Sequence, residues 1–302
     1  MTAPVIGFVG FGEAAQCFAR HLTIKGAAAP LVFCEGRTNR PPYSEPFRLQ
    51  VREAGAELVE TLDALLARAD IVISAVVVAT AAEVGAAIAA GLRPGTLVAD
   101  INASTPSRKS TVAEAVRARG GSYVDANLMG AVSIYGAKVP LYCSGDGVER
   151  FASVFAPFGF TIESAGPRAG DAAAVKMLRS VVTKGIEALV IEAMTAASVA
   201  GVRAEALRGI CEPMDATRFS TFVDMCIRTD VLHAERRAVE MDGVAEGIRE
   251  LGLDPVMTEA TCARLRASAA LGQREAFIAR TSYTADDVLD AYRARSGEPS
   301  CR

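Results

Sequence analysis

No group of Asp, His and Cys in this chain of 302 residues has metal-ligand spacing, and the two histidines, His21 and His233, lie far apart, so no metal site is expected. Seven cysteines (Cys17, Cys34, Cys143, Cys211, Cys226, Cys262, Cys301) form no C-x-x-C pair. Their odd number and mostly apolar settings exclude a disulfide frame and predict reduced core thiols, which points to the cytoplasm. Charged residues make up 22% of the chain and nearly balance, with a net charge of −3 and no long run of one sign. That excludes a nucleic-acid partner and an acidic tail, leaving a small molecule as the expected partner. No apolar run reaches membrane-spanning length, and no basic segment precedes the strand-like run after Pro4, so neither a membrane span nor an export signal is expected. Internal repeats and low-complexity segments are lacking too, which removes a solenoid.

What is present is apolar: 51% hydrophobic residues, enough at this length for two cores. Short β-branched runs alternate with helical patterns up to about residue 163, at 5–9, 31–35, 70–76, 96–101, 122–125, 139–144 and 160–163. Such alternation predicts a parallel, doubly wound α/β sheet, and the unbroken apolar run 71–78 reads as a central strand covered on both faces. Arg, Pro and Ser accumulate over 38–46, a loop signal. After Gly170 the strand signal stops, and helices are expected at 171–200, 203–211, 213–228, 230–251, 255–271 and 284–294. The shift divides the chain into a Rossmann domain over 1–165 and an all-α domain over 166–302. The first of these helices would span about 45 Å, enough to bridge domains or subunits.

The opening run Val5-Ile6-Gly7-Phe8-Val9-Gly10-Phe11-Gly12-Glu13-Ala14-Ala15 sets G-x-G-x-x-A between a strand and a helix. Gly10 permits the tight turn, Gly12 lets backbone approach a pyrophosphate, and Ala15 allows close packing of helix on strand. With Phe11, Glu13 and Ala14 these form the candidate phosphate cradle, and Val76, ending the central strand, is a candidate neighbour. The alternative is a structural turn in a flavodoxin-like sheet. Glu35, at the end of the second strand, can bond ribose hydroxyls and repel a 2′-phosphate, which favours NAD. Arg37, Thr38 and Arg40 follow at once and offer guanidinium groups and a hydroxyl to that phosphate, which favours NADP slightly. A solvated basic loop is the competing reading.

Residues 170–180 open the long helix, and at 100° per residue Ser180 and Thr183 fall within about 40° of Lys176, with Lys184 and Glu187 near the same stripe. A polar stripe thus crosses an apolar helix. A lysine in such surroundings loses its proton more easily and can serve as a general base, unless its stem packs while its head reaches water.

Three segments in this order and spacing, Gly7 to Gly12, Asp125-Ala126-Asn127-Leu128-Met129-Gly130-Ala131 and Gly170 to Lys176, resemble the β-hydroxyacid dehydrogenase family, relatives of 6-phosphogluconate dehydrogenase. The stretches Lys176 to Leu189 and His233 to Met241 resemble a branch whose helical C-terminal domain has no assigned role. The resemblance implies that Lys176 is the catalytic lysine, taking the hydroxyl proton as hydride passes to the nicotinamide; related imine reductases usually lack it. It also puts Asn102 or Ser104 in the substrate loop, and Gly130 with Ala131 where backbone N–H groups receive a carboxylate. Ser180 stands where the family usually has Asn, and Asn127, Leu128 and Met129 where it shows Pro, Val and Ser, which implies an uncommon acid.

His233, Arg236, Arg237 and Glu240 share one helical face by their spacing. The cations can grip a carboxylate or phosphate, from this subunit or a neighbour, or form a solvated face with internal ion pairs. The expectation is an NAD(P)-dependent oxidoreductase, a homodimer, interconverting a hydroxy acid and its keto acid. Oxidative decarboxylation of a sugar acid is the second enzymatic reading, and a dinucleotide-sensing protein without catalysis the third.

Overall fold

The structure, a computed structural model, describes residues 3–295. The chain divides into two compact units, Met1–Val181 and Val182–Arg302. The first unit runs β1 (Ile6–Val9), α1 (Glu13–Ile24), β2 (Leu31–Phe33), α2 (Glu45–Glu53), β3 (Glu57–Leu58), α3 (Leu62–Leu66), β4 (Ile71–Ser74), α4 (Ala81–Gly91), β5 (Leu97–Asp100), α5 (Pro106–Ala118), β6 (Ser122–Leu128), α6 (Val132–Tyr135), β7 (Leu141–Ser144), α7 (Val148–Phe155) and β8 (Ile162–Gly166). It ends with the first turns of α8 (Asp171–Val199), whose remainder belongs to the second unit.

The strands form one sheet in the order β3-β2-β1-β4-β5-β6-β7-β8. Period-two alternation sends Ile71 and Ile73 into a core with Phe8, Phe18, Leu22 and Phe155, and Val72 into the opposite core with Leu65, Ile88 and Val116. Burial on both faces explains the unbroken apolar reading at β4, although the strand itself ends at Ser74. All pairs are parallel except β6 with β7, so the expected parallel, doubly wound sheet carries one antiparallel step. Residues 129–140 between them hold only α6 and a 3₁₀ turn, with no crossover helix long enough to bring β7 back in the same direction. β3, α2 and α3 were not resolved in the sequence pattern, because two to nine residues hold too little periodicity.

The second unit continues with α9 (Arg203–Ala216), α10 (Phe219–Glu250), α11 (Val256–Ala270), α12 (Arg274–Ile278) and α13 (Ala285–Arg295). The helical reading was right in kind but wrong in its breaks. Pro213 lies inside α9, which ends within a turn of it, as the loss of one N–H near a helix end allows. A break falls at Thr229 in the sequence reading, with a new helix from Asp230, yet α10 passes through both. Thr229 Oγ1 accepts from Arg237 at 3.0 Å and Asp230 from the Tyr292 hydroxyl at 2.8 Å, so both serve tertiary contacts and neither caps a helix. Within this unit Glu192 on α8 accepts from Met257 N at 2.7 Å, Thr258 N at 2.8 Å and Thr258 Oγ1 at 2.7 Å. Burial alone would raise its carboxyl, but these donors at the start of α11 hold it below the usual range.

Of the cysteines, Cys34, Cys143 and Cys262 are buried and free, Cys17 is half-buried, and Cys211 and Cys226 are exposed, so the core-thiol reading does not extend to those two. Cys301 lies outside the described residues. No helix among the described residues is long and apolar enough to cross a membrane.

Candidate active site

The strand order reverses between β1 and β4, which opens a crevice at their carboxyl ends. Gly10 stands there with φ of +90°, and a Cβ on it would come within 2.3 Å of Ala75 O and 2.8 Å of Val76 Cγ1. Only glycine fits that turn. Gly12 is different: it is exposed, caps α1 without a side-chain bond, and a Cβ on it would meet nothing within 4 Å. The first turn of α1, Glu13, Ala14 and Ala15, therefore presents backbone N–H groups beside open space, which fits an anionic phosphate. Phe11 and Ala15 are buried beneath the turn. Cys34 lies under it as well; burial pushes its thiol up to about 11, with the Phe11 and Gly10 amides pulling the other way.

Beyond β2, Glu35, Arg37, Thr38 and Arg40 are all exposed, and Gly36 N donates to Asn39 O at 2.8 Å to close the loop. Its base is pinned by buried Tyr43. The hydroxyl receives Cys34 N at 3.1 Å and lies 3.0 Å from Cys34 O and 3.2 Å from Val59 O. Two guanidinium groups and one carboxylate thus sit on a loop whose ends are fixed while its polar groups remain open to solvent.

Val76 N donates to Asn102 Oδ1 at 2.6 Å. The Asn102 amide nitrogen donates to Ser74 Oγ at 2.9 Å and Asp100 Oδ1 at 2.7 Å, so buried Asn102 ties the loop after β4 to the loop after β5. Ser104, two residues on, is half-buried. Lys109, fully buried on α5, donates to Asp100 O at 2.9 Å and faces Asp100 Oδ1 at 3.0 Å and Asp125 Oδ1 at 3.1 Å. The Tyr123 hydroxyl donates to Asp100 Oδ2 at 2.9 Å, and burial, together with the Asp100 and Asp125 charges, holds this phenol well above its ordinary 10.0.

From Asp125 the contacts reach α8. Asp125 and Ser144 face each other in the β6/β7 pair, and they accept from consecutive helix amides: Ala173 N to Asp125 Oδ2 at 2.8 Å and Ala172 N to Ser144 Oγ at 3.0 Å. Two of the N–H groups that a helix start leaves open are thereby satisfied. Lys176, one turn further on, is half-buried. Ser180 Oγ donates to Lys176 O at 2.9 Å, which commits its proton to the backbone and leaves its lone pairs as acceptors.

Gly130 is half-buried and Ala131 exposed, at the start of α6. Lys184, His233, Arg236 and Arg237 belong to the second unit. There Arg236 pairs with Glu240 on the same exposed face, as the ion-pair reading had it, while half-buried Arg237 reaches Thr229. His21 is half-buried, with Nε2 2.8 Å from Phe158 O and the ring edge-on to Phe160. Sequence reasoning missed Tyr43, Tyr123, Ser144 and Lys109. The last had a signal: Lys109, Val112, Ala113 and Val116 recur at i, i+3, i+4 and i+7, so the lysine occupies a core position of an apolar stripe.

Residues 5–159 match the model of the NAD binding domain of 6-phosphogluconate dehydrogenase, and residues 197–268 match a domain of unknown function, DUF1932. Among solved structures, the chain is similar to a conserved hypothetical protein from Sinorhizobium meliloti 1021, with 30% identity, 97% of each chain covered and a TM-score of 0.62. It is also similar, at 28% identity over 97% of this chain and 99% of the other with a TM-score of 0.60, to a conserved protein of unknown function described as structurally similar to 3-hydroxyacid dehydrogenases. An imine reductase from Aspergillus terreus, in complex with NADPH4 and dibenz[c,e]azepine, shares the fold at 22% identity, with 90% and 96% coverage and a TM-score of 0.72.

Proposed function

The chain belongs to the family that carries the NAD binding domain of 6-phosphogluconate dehydrogenase, and from that premise we propose that it is an NAD(P)-dependent oxidoreductase interconverting a hydroxy acid and its keto acid, with Lys176 as general acid/base. The observation that carries the reading is the unbroken set of contacts from Gly10 through Val76, Asn102, Asp100, Lys109 and Asp125 to the first turn of α8, where half-buried Lys176 stands. The turn from Gly10 to Ala15 would hold the pyrophosphate. Glu35 would take ribose hydroxyls, and Arg37, Thr38 and Arg40 a 2′-phosphate; two exposed guanidinium groups on a pinned loop favour NADP slightly. When bound, the nicotinamide supplies the hydride donor or acceptor. In the oxidative direction Lys176 Nζ removes the hydroxyl proton, and in the reductive direction it returns it. Ser104, Gly130 and Ala131 orient the acid, with Ser180 offering an acceptor beside the lysine. In the second unit, Lys184, His233, Arg236 and Arg237 are the candidates for binding an anionic group.

The test is cofactor reduction or oxidation over a panel of 3-hydroxy, sugar and keto acids with the Lys176→Met variant alongside. Loss of general acid/base help is expected to slow turnover by about 10² to 10⁴ with dinucleotide affinity retained. A variant that keeps near-full rate refutes the role.

In the second unit α8 exposes Val182, Ile186, Leu189, Val190 and Ile191, and Val182 is 46% and Ile191 64% accessible. Apolar surface of that extent on one helix supports a homodimer, and sedimentation at twice the chain mass checks it. The six free thiols among the described residues support a reducing, cytoplasmic setting.

A further inference from the structure

Burying charge for its own sake does not stabilise a fold; apolar replacements of similar volume are often as good or better. Yet the first unit encloses Asp100, Lys109 and Asp125 with side chains at most 5% accessible. The three N–H donors of Lys109 meet three acceptors, Asp100 O, Asp100 Oδ1 and Asp125 Oδ1. Asp100 also takes Asn102 N at 2.9 Å, and Asp125 also takes the Asn127 amide at 2.7 Å. Formally the cluster holds two negative charges and one positive. The surplus negative charge faces the first turn of α8 through the Ala173 amide, where the partial positive end of a helix favours it. On its other side the cluster grips Asn102, which holds the Val76 amide beside the glycine turn. One set of buried bonds therefore fixes the start of α8 and the loops after β4 and β5 to each other.

We infer that Asp125 and Lys109 are positioning residues of the proposed reaction: the ion pair between them registers the first turn of α8, and with it Lys176, against the loops that would hold cofactor and acid. The inference rests on the reading of Lys176 as acid/base. Placed one turn beyond the amide that Asp125 holds, the Lys176 ammonium lies in the field of the cluster. Its titration therefore reports the charge there, and amide exchange at the start of α8 reports the registration itself, through the Ala173 bond to Asp125.

The chain has five lysines, Lys25, Lys109, Lys138, Lys176 and Lys184, and Lys109 is sealed from reagents. Reductive methylation with ¹³C-formaldehyde keeps the charge and gives few enough methyl signals for that of Lys176 to be assigned by its loss in Lys176→Arg. Asp125→Asn removes a negative charge at nearly constant shape and is expected to lower the Lys176 pKa. Lys109→Met removes a positive charge and is expected to raise it, each by about half a unit or more. The double variant restores the net charge and is expected to return Lys176 towards its wild-type value. Amide exchange in the 170–180 segment is expected to quicken about tenfold in Asp125→Asn, with no comparable change in α4. If Lys109→Met does not fold, the direction of the Asp125→Asn shift and the exchange result decide. Shifts of the same sign in both single variants, or no shift with unchanged exchange, overturn the inference. Its failure is separable from that of the acid/base reading, because Lys176→Met turnover tests the latter without reference to either positioning residue.

Discussion

Two glycines two residues apart are expected to fail in opposite ways when each is changed to alanine. At Gly10 the added Cβ meets Ala75 O at 2.3 Å and Val76 Cγ1 at 2.8 Å, and φ is +90°. The left-handed backbone costs about 1 to 2 kcal/mol and the forced displacement about 1 to 3 more, so Gly10→Ala should lose about 2 to 5 kcal/mol of stability. At Gly12 φ is −80° and nothing lies within 4 Å, so the protein itself has no objection to a Cβ. A small loss of capping and a small gain from a stiffer unfolded chain leave Gly12→Ala within about 0.5 kcal/mol of wild type. Its methyl instead fills the space that a pyrophosphate needs in order to reach the amides of Glu13 to Ala15. Charge-assisted hydrogen bonds of about 1.5 to 3 kcal/mol are at risk there, which corresponds to roughly a tenfold to hundredfold rise in Kd. Urea unfolding measures the first effect, and titration of nicotinamide fluorescence with NADPH and NADH the second. Unchanged dinucleotide affinity in Gly12→Ala would remove the cradle from the proposed site, and wild-type stability in Gly10→Ala would contradict the steric argument.

Arg37→Ala should weaken NADPH by roughly tenfold while leaving NADH nearly unchanged, and Glu35→Ala should weaken NADH more than NADPH; equal effects on both cofactors from Arg37→Ala would show that the loop is only a solvated basic surface. On the alkaline side, burial raises the Cys34 thiol from 9.0 to about 11 and the Cys143 thiol to about 12, the latter helped by the Asp125 charge. The folded chain then keeps protons that the unfolded chain releases, so their stabilisation is intact below 9.0 and lost as pH rises towards 11 and 12. The urea midpoint should accordingly fall over that window, and a midpoint that climbs there contradicts the sign.

The alternation of β-branched runs with helical stretches, the G-x-G-x-x-A turn and the switch to helices after Gly170 are local properties, carried by residues close together in the chain. Periodicity and glycine spacing report them directly, which is why the sheet, the helical region and the glycine turn were legible. The breaks at Pro213 and Thr229 were misread because a tertiary partner decides whether a polar or cyclic residue ends a helix or is absorbed within one. No window of sequence holds Asp125, Ser144 and Ala173 together. Only the pairing of β6 with β7 sets that carboxylate and hydroxyl side by side, and only the bonds from Ala172 and Ala173 join them to the start of α8. The chain alone thus specifies which elements form and where the tight glycine turn falls. The register between loops and the long helix is a long-range property, settled when buried groups must find hydrogen-bond partners that water no longer provides.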